Sequence, residues 1–255
     1  MKKRPLPKVW RVLLPLVAWL GLWWALAARI DQPLLLPTPW QVLTCLVELA
    51  GTAAFWHTCL TTLGRVFLGG GIGIVIGVTL AALSARFEGC AAVFSPAVKV
   101  IRATPVASFI ILIWLWASAT WVPVVIAALM AAPIAWAATQ QGLGEVDPLL
   151  LELAGAYRFS KGKTLRLVYL PAMENALVGG CRTALGFAWK SGVAAEALCR
   201  PARAMGTAIW NAKTYLETPQ LFAWTAAVVV LSIAVEKLLW GLWSNLERRR
   251  TGGAA

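Results

Sequence analysis

Six blocks of mostly apolar residues recur along the chain, each close to the roughly 20 residues that a helix needs to cross a bilayer. Hydrophobic residues make up 60% of the 255 residues and charged residues 13%, whereas soluble domains carry about 25% charged residues. The sequence therefore predicts an all-α, multi-pass membrane protein. The predicted spans are an N-terminal run that reaches Ala28, then 58–84, 90–117, 121–141, 173–196 and 220–240.

The N-terminal segment has two interpretations. Five basic residues before residue 12, followed by an apolar run of about 18 residues, are typical of a secretory signal peptide and also of a first transmembrane helix. No clean small-x-small cleavage site precedes Arg29, so we expect a retained helix with its N-terminus in the cytoplasm. The next segment, 31–50, contains three prolines and then WQVLTCLVELA, and it is predicted to form an extracytoplasmic loop with a short interfacial helix.

The basic residues predict the orientation of the spans. Fourteen lysines and arginines fall in segments assigned to the cytoplasm, four in outer segments and five within spans. Because cytoplasmic loops are enriched in Lys and Arg, this bias favours cytoplasmic N- and C-termini and an even number of spans. We therefore predict six transmembrane helices. The formal charge of +12 is explained by this topology, and no basic stripe indicates nucleic acid as a partner.

The second predicted span carries a regular series of small residues. Gly69, Gly73 and Gly77 recur every four residues, and Ala81 continues the series, so all lie on one helix face. Such a face lets the backbone of a neighbouring helix approach closely. We predict that these three glycines are helix-packing residues, because they do not match the GxGxxG pattern of nucleotide sites. Arg65 lies in the same span and must face protein or water.

The sequence carries no catalytic constellation of the GxSxG or HExxH type. The single histidine, His57, and five scattered cysteines without a CxxC pair predict no metal site, and a membrane-embedded enzyme would need a convergent set of such groups. Gly162-Lys163-Thr164 is similar to the end of a P-loop, but Tyr157 occupies the position of its first glycine. We therefore predict a protein that is not an enzyme and binds no cofactor itself.

Ionisable residues inside predicted spans are costly unless they face an interior or a water-filled cavity. Four such residues are candidates for a solute path: Arg102, Arg182, Lys190 and Glu196. Arg182 and Lys190 are eight positions apart, or about 80° around a helix, so they could flank one cavity and favour an anionic solute. The alternative is structural pairing, for example of Lys190 with Glu196.

Segment 142–171 carries four basic residues between two strongly apolar spans. A segment this basic cannot lie in hydrocarbon, so we predict a long cytoplasmic loop. One interpretation is a solvated loop that simply follows the charge bias. The other is a docking element for a partner outside the membrane, because residues 152–171 combine charge with an amphipathic pattern.

The stretch ELAGAYRFSKGKTLRLVYLP at 152–171 resembles the EAA loop of binding-protein-dependent ABC importer permeases. The family pattern runs Glu-Ala-Ala, three residues, Gly, nine residues, Ile, any residue and Leu-Pro. The match rests on residues in register, with valine in place of isoleucine: Glu152, Ala154, Val168, Leu170 and Pro171. Two positions depart from the pattern, since Leu153 replaces the first alanine and Arg158 replaces the glycine.

Other stretches are similar to the nitrate/sulfonate/taurine branch of these permeases, namely LPTPWQVL at 35–42, RATPVASFIIL at 102–112 and RTALGFAWKSGVAAE at 182–196. The resemblance implies a type-1 ABC importer permease fold in the cytoplasmic (inner) membrane. It also implies three parts: an N-terminal transmembrane helix with its outer loop at 1–56, a permease core at 57–241 that includes the coupling loop 142–171, and a basic cytoplasmic tail at 242–255.

The partners are likewise implied by the resemblance. Two copies of the chain, embedded in membrane lipid, would form the path for a small sulfonate-, nitrate- or taurine-like solute that an extracytoplasmic binding protein delivers. Separate cytoplasmic ABC ATPase subunits would bind ATP and grip the coupling loop, with Glu152 in a polar groove and Leu153 and Leu170 as anchors. Two alternatives stay open: a secondary transporter driven by an ion gradient, and the same importer class carrying a vitamin or vitamin precursor.

Overall fold

The structure is a computed structural model that describes residues 8–251, with side chains described from residue 13 onward except at 239, 242 and 245–251. Within that range the chain is helical and contains no β-strand. The helices are α1 (Lys8–Ile30), α2 (Pro39–Ala50), α3 (Ala53–Arg86), α4 (Glu88–Ala103), α5 (Val106–Trp114), α6 (Val122–Gly144), α7 (Pro148–Ala156), α8 (Lys161–Thr164), α9 (Leu170–Cys199), α10 (Met205–Thr214) and α11 (Thr218–Thr251). A π-helical turn, Leu165–Tyr169, joins α8 to α9.

Four of these helices are long and apolar enough to cross a membrane: Leu13–Ile30, Ala53–Arg86, Val122–Gly144 and Thr218–Leu238. The pair α4 and α5 would make a fifth span, bent by 103° at its break. Helix α9 contains the predicted span 173–196, but it carries four charged residues and is not among the apolar candidates. The all-α membrane architecture is confirmed, whereas the count of six spans and the cytoplasmic termini stay predictions. Residues 1–7 and 252–255, which hold part of both predicted termini, lie outside the described range.

The chain divides into two compact units. The first comprises residues up to His57 together with Ala208–Leu231. Aromatic contacts join its segments: the rings of Trp23 and Phe222 are 5.8 Å apart, and those of Phe55 and Trp224 are 5.0 Å apart. A capping box between Thr38 and the third helical residue begins α2, so the predicted short helix at 40–50 does form.

The second unit comprises Thr58–Thr207 and the chain from Ser232 onward. Its centre is α6, in which more than half of the candidate span is buried. Gly69, Gly73 and Gly77 of α3 lie against the α6 backbone, at Val124, Ala128 and Ala132 respectively. Gly180 of α9 lies against the Ala138 side chain of α6. Small residues thus allow three helices to pack closely together.

Several of the segments that connect predicted spans contain helices. The predicted outer loop at 197–219 contains α10, and the predicted turn at 85–89 shrinks to Phe87 between α3 and α4. The predicted cytoplasmic loop at 142–171 consists mostly of helix, namely the end of α6, α7, α8 and the π-helical turn. Their position as connections between predicted spans stays a prediction, and the resemblance to the EAA loop already implied short helices within 142–171. Proline is tolerated in the first turn of a helix, where Pro148 lies.

The third predicted span is broken, as its prolines suggested. The break falls at Thr104 and Pro105, between α4 and α5, while Pro96 stays inside α4. The residue before a proline is disfavoured in the helical region, and Thr104 adopts an extended conformation. Irregular backbone of this kind is tolerated at membrane depth only where protein or a water-filled cavity surrounds it.

Candidate functional site

The segment Pro148–Tyr169 folds into a helical hairpin, which we call the coupling hairpin. Asp147 begins α7 by accepting a hydrogen bond from the Leu149 N–H at 2.9 Å, and Ser160 accepts one from the Lys163 N–H at the start of α8. The turn between them is only four residues long, 157–160. Side-chain caps therefore fix both helix starts, and the hairpin is an ordered element.

Arg158 sits at the end of α7 in a left-handed conformation with φ of 50°. The Phe159 N–H donates to the Ala154 carbonyl at 2.8 Å, and the Arg158 N–H donates to the Gly155 carbonyl at 2.9 Å. This is the hydrogen-bond pattern of a Schellman motif, whose left-handed position is usually glycine. The glycine of the EAA pattern thus corresponds to a backbone requirement, and Arg158 meets the same requirement at a conformational cost.

A small core holds the coupling hairpin together. Val146, Ala154, Val168 and Met173 are buried in one cluster, and Phe159 packs against it. Two of the residues that carry the motif match, Ala154 and Val168, therefore face inward. Their burial explains why small and branched apolar residues suit these positions, since both helices meet there.

The other motif residues face outward. The side chains of Leu153 and Leu170 are 54% and 48% exposed, and Glu152 is also exposed. Leu149 and Tyr157, four residues to either side of Leu153, are 70% exposed and extend the same face of α7. An apolar stripe with a carboxylate beside it is left without cover by the rest of this chain. Such a surface is typical of an interaction site.

Positive charge surrounds this stripe. Arg158, Lys161, Lys163 and Arg166 all have exposed side chains. The Lys163 ammonium lies 4.0 Å from the centre of the Phe159 ring, which directs one of these charges across the turn. The hairpin therefore presents apolar and cationic groups together.

A cavity of about 800 Å³ lies in the second unit along α3, α9 and the end of α11. Its walls are mainly apolar and include Phe67, Phe187 and Trp243. Arg182 and Lys190 both line it, so the structure brings these two predicted path residues to one cavity. The alternative pairing of Lys190 with Glu196 is not found among the described side chains, since Glu196 pairs with Arg65.

Arg182 forms an ion pair that sequence reasoning missed. Its Nε donates to Oε1 of Glu236 at 2.8 Å, its Nη2 contacts the same oxygen, and its guanidinium lies 5.3 Å from the centre of the Trp240 ring. Glu236 lies on α11 and also lines the cavity. Glu236 lies within the predicted span 220–240, where an ionisable residue is costly unless it has a partner. That cost is the signal in the sequence that could have identified Glu236.

Glu196 has a different environment from the other candidate path residues. Its side chain is fully buried and accepts hydrogen bonds from the Thr62 hydroxyl at 2.9 Å, from Arg65 Nη1 at 3.2 Å and from the Gly206 N–H at 3.3 Å. Arg65 also donates to the carbonyls of Ala202 and Arg203. This network joins α3, α9 and the segment after α9, which favours a structural role for Glu196. The prediction that Arg65 faces protein is explained by the same contacts.

Arg102 lies in the last turn of α4, two residues before the bend, and its side chain is exposed. It does not line the cavity with Arg182 and Lys190. The four candidate path residues thus occupy three separate environments. Only Arg182 and Lys190 share one.

Comparisons with known proteins match most of the chain. The model of the family described as "Binding-protein-dependent transport system inner membrane component" matches residues 73–251. The taurine transport system permease protein TauC of Escherichia coli (strain K12) is 26% identical over 235 residues, covering 89% of this chain and 85% of TauC. A protein named as an aliphatic sulfonates transport permease, SsuC of Bacillus subtilis (strain 168), is 28% identical over 244 residues, covering 93% and 85% of the two chains.

Solved structures give the same fold. A chain of an amino acid ABC transporter crystallised with histidines superposes with a TM-score of 0.59 at 18% identity, covering 74% of this chain and 91% of that chain. A chain of the MetNI methionine ABC transporter in an inward-facing conformation superposes with a TM-score of 0.55 at 19% identity, covering 76% and 93%. At these identities the likeness concerns the fold alone, and it confirms the type-1 ABC importer permease fold.

Proposed function

Because this chain belongs to the family of binding-protein-dependent transport system inner membrane components, we propose that it is the permease subunit of an ABC importer for small organic sulfonates such as taurine. The family assignment makes it an inner-membrane transport component and not an enzyme. The sulfonate class is supported by the names of its relatives TauC and SsuC. A cationic cavity suits a sulfonate, because that group is negatively charged at any physiological pH.

The coupling hairpin is the proposed contact with the ATPase. The observation that carries this proposal is the division of the motif, in which Ala154 and Val168 build the hairpin core while Glu152, Leu153 and Leu170 remain exposed. Leu153 and Leu170 would enter an apolar groove on the ATPase subunit. Glu152 and the basic residues around it would pair with polar groups at the rim, where charge contributes more to specificity than to affinity.

The cavity at Arg182 and Lys190 is the proposed part of the path that this chain supplies. Two copies of the chain would enclose the complete path, because each copy leaves its cavity partly open. The extracytoplasmic binding protein would deliver the solute, and ATP bound by the partner subunits would drive the change between inward- and outward-facing states. Arg102, at the bend between α4 and α5, would line a different stretch of the path.

Replacing Glu152 with lysine tests the docking role. We expect normal membrane insertion but uncoupled activity, in which ATP hydrolysis by the assembled complex no longer drives taurine uptake. The measurement is uptake and ATPase activity of the complex in proteoliposomes, with co-purification of the ATPase subunit as the assembly assay. Glu145→Lys, at an exposed carboxylate before α7, is the matched control. Normal uptake by the Glu152 variant would contradict the docking role.

A further inference from the structure

We propose that Glu236 is a charge-balancing residue of the solute path. It neutralises Arg182, so that Lys190 is the cation left to contact the sulfonate group of a solute in the cavity. This inference rests on the proposed function, which supplies that anionic group. Arg182 and Lys190, two basic residues on the same helix, thus have different tasks.

Hydrogen bonds hold the Arg182 guanidinium on Glu236. Two nitrogens of its guanidinium contact the same carboxylate oxygen of Glu236, and the Trp240 ring lies beside it. Yet the pair is not buried within this chain, since the two side chains are 53% and 49% exposed. The pair therefore lies on the cavity wall, where its net charge acts on whatever occupies the cavity. Pairing also lowers the cost of holding two ions within predicted spans.

Lys190 has no such partner among the described side chains. It lies eight residues beyond Arg182 on α9, about 12 Å along the helix axis at 1.5 Å per residue. Glu196, the acidic residue that the sequence placed near it, is engaged by Arg65. The ionisable groups described along the cavity are thus one balanced pair and one unbalanced ammonium, with a net charge of +1.

A single net positive charge suits transport better than two. A site on a path must bind the solute strongly enough to admit it and weakly enough to release it. Without Glu236, a sulfonate would meet two uncompensated cations in one cavity, and its release would be slow. With Glu236, attraction is confined to Lys190.

Three variants of the complete transport complex test this inference: Glu236→Gln, Arg182→Gln, and the two together. Neutralising Glu236 alone leaves a net charge of +2, and we expect the maximal rate of uptake of ethanesulfonate, which lacks the ammonium group of taurine, to fall roughly tenfold, as Coulomb energies at an effective dielectric of about 20 allow. Arg182→Gln leaves the cavity with a net charge of zero, and uptake should also fall. The double variant restores +1 and should recover uptake to within about twofold of wild type.

The double variant distinguishes the charge-balancing role from two alternative roles of the ion pair. If Arg182 itself contacted the solute, or if the ion pair were needed only to hold α9 against α11, the double variant would be at least as impaired as Arg182→Gln. That result, with normal assembly, would overturn the inference. Glu88→Gln, at an exposed carboxylate that does not line the cavity, is the matched control.

A second measurement needs no transported solute. Cys181 lines the same cavity, so a chain that keeps it as its only cysteine can be labelled with 2-sulfonatoethyl and with 2-trimethylammonioethyl methanethiosulfonate. The ratio of the anionic to the cationic labelling rate reports the local potential. We expect Glu236→Gln to raise this ratio about tenfold, and the double variant to return it to the parent value. An unchanged ratio in Glu236→Gln would overturn the charge-balancing role.

The two measurements also separate this inference from the proposed function. If the wild-type complex took up no sulfonate while the labelling ratio changed as expected, the solute class would be wrong and the charge balance at Arg182 would stand.

Discussion

Arg65 and Glu196 lie 131 positions apart in the sequence and form an ion pair at 3.2 Å. The carboxylate is fully buried, and the guanidinium is nearly so at 12% exposed. Breaking a buried pair from one side leaves the other charge without compensation, which is more costly than losing both. The pair is therefore a point where a single substitution should affect the whole second unit.

We expect Glu196→Ala to destabilise the protein by about 3 kcal/mol, because Arg65 would stay buried without its partner. Thermal unfolding of the purified protein in detergent measures this change. Glu145→Ala, at an exposed residue, should change the unfolding temperature little. If the two variants unfolded at the same temperature, Glu196 would not have the structural role assigned to it.

Arg158→Gly should stabilise the coupling hairpin by about 1 kcal/mol, since glycine adopts the left-handed conformation without the steric cost of a side chain. Arg158→Ala also removes the charge but keeps a Cβ, so it should give no such gain. The midpoint of thermal unfolding and the rate of proteolysis within 155–165 distinguish these outcomes. Equal effects of the two substitutions would mean that charge, and not backbone conformation, governs this position.

Gly73→Ala should destabilise the packing of α3 on α6 by about 1–3 kcal/mol, because the added methyl group would clash with the backbone of Ala128. Gly71→Ala is a matched control two residues away, where nothing lies within 4 Å of an added Cβ. In that open position alanine should be neutral or stabilising, as its helix propensity is higher by about 1 kcal/mol. Unfolding measured on both variants tests the pair, and equal losses would argue against close packing at Gly73.

Lys190→Met should lower sulfonate uptake about tenfold in the assembled complex, because it removes the unbalanced cation of the cavity. ATP hydrolysis and co-purification with the ATPase subunit should persist. Lys99→Met, on α4 and away from the cavity, is the control for loss of a lysine from another predicted span. Unchanged uptake with normal assembly would remove Lys190 from the mechanism.

Much of the architecture could be predicted because bilayer physics restricts the choices. Apolar runs near 20 residues long indicated α1, α3, α6 and α11 directly, and the four-residue spacing of Gly69, Gly73 and Gly77 indicated a packed face. The neighbour on that face could not be predicted. Nothing local in the sequence says that α6 rather than another helix lies there, since several spans contain small residues.

The candidate site could be predicted in part. The motif at 152–171 located the coupling hairpin, but pattern matching could not tell that Ala154 and Val168 face its core while Leu153 faces out. Arg182 and Glu236 are 54 positions apart, and Arg65 and Glu196 are still farther apart. A single sequence offers many possible partners for each of these charges, so the pairings required the folded chain.

The π-helical turn Leu165–Tyr169 joins the coupling hairpin to α9, with the Leu170 N–H reaching back to the Leu165 carbonyl. Pro171 follows at once; it lacks an N–H, and its ring would collide with the Leu167 carbonyl in a regular α-helix. The wider turn avoids that collision at the expense of regular α-helical hydrogen bonding. We therefore expect the stretch from Lys161 to Cys199 to bend most readily at this turn when the coupling hairpin is displaced, before the part of α9 that bears Lys190 moves.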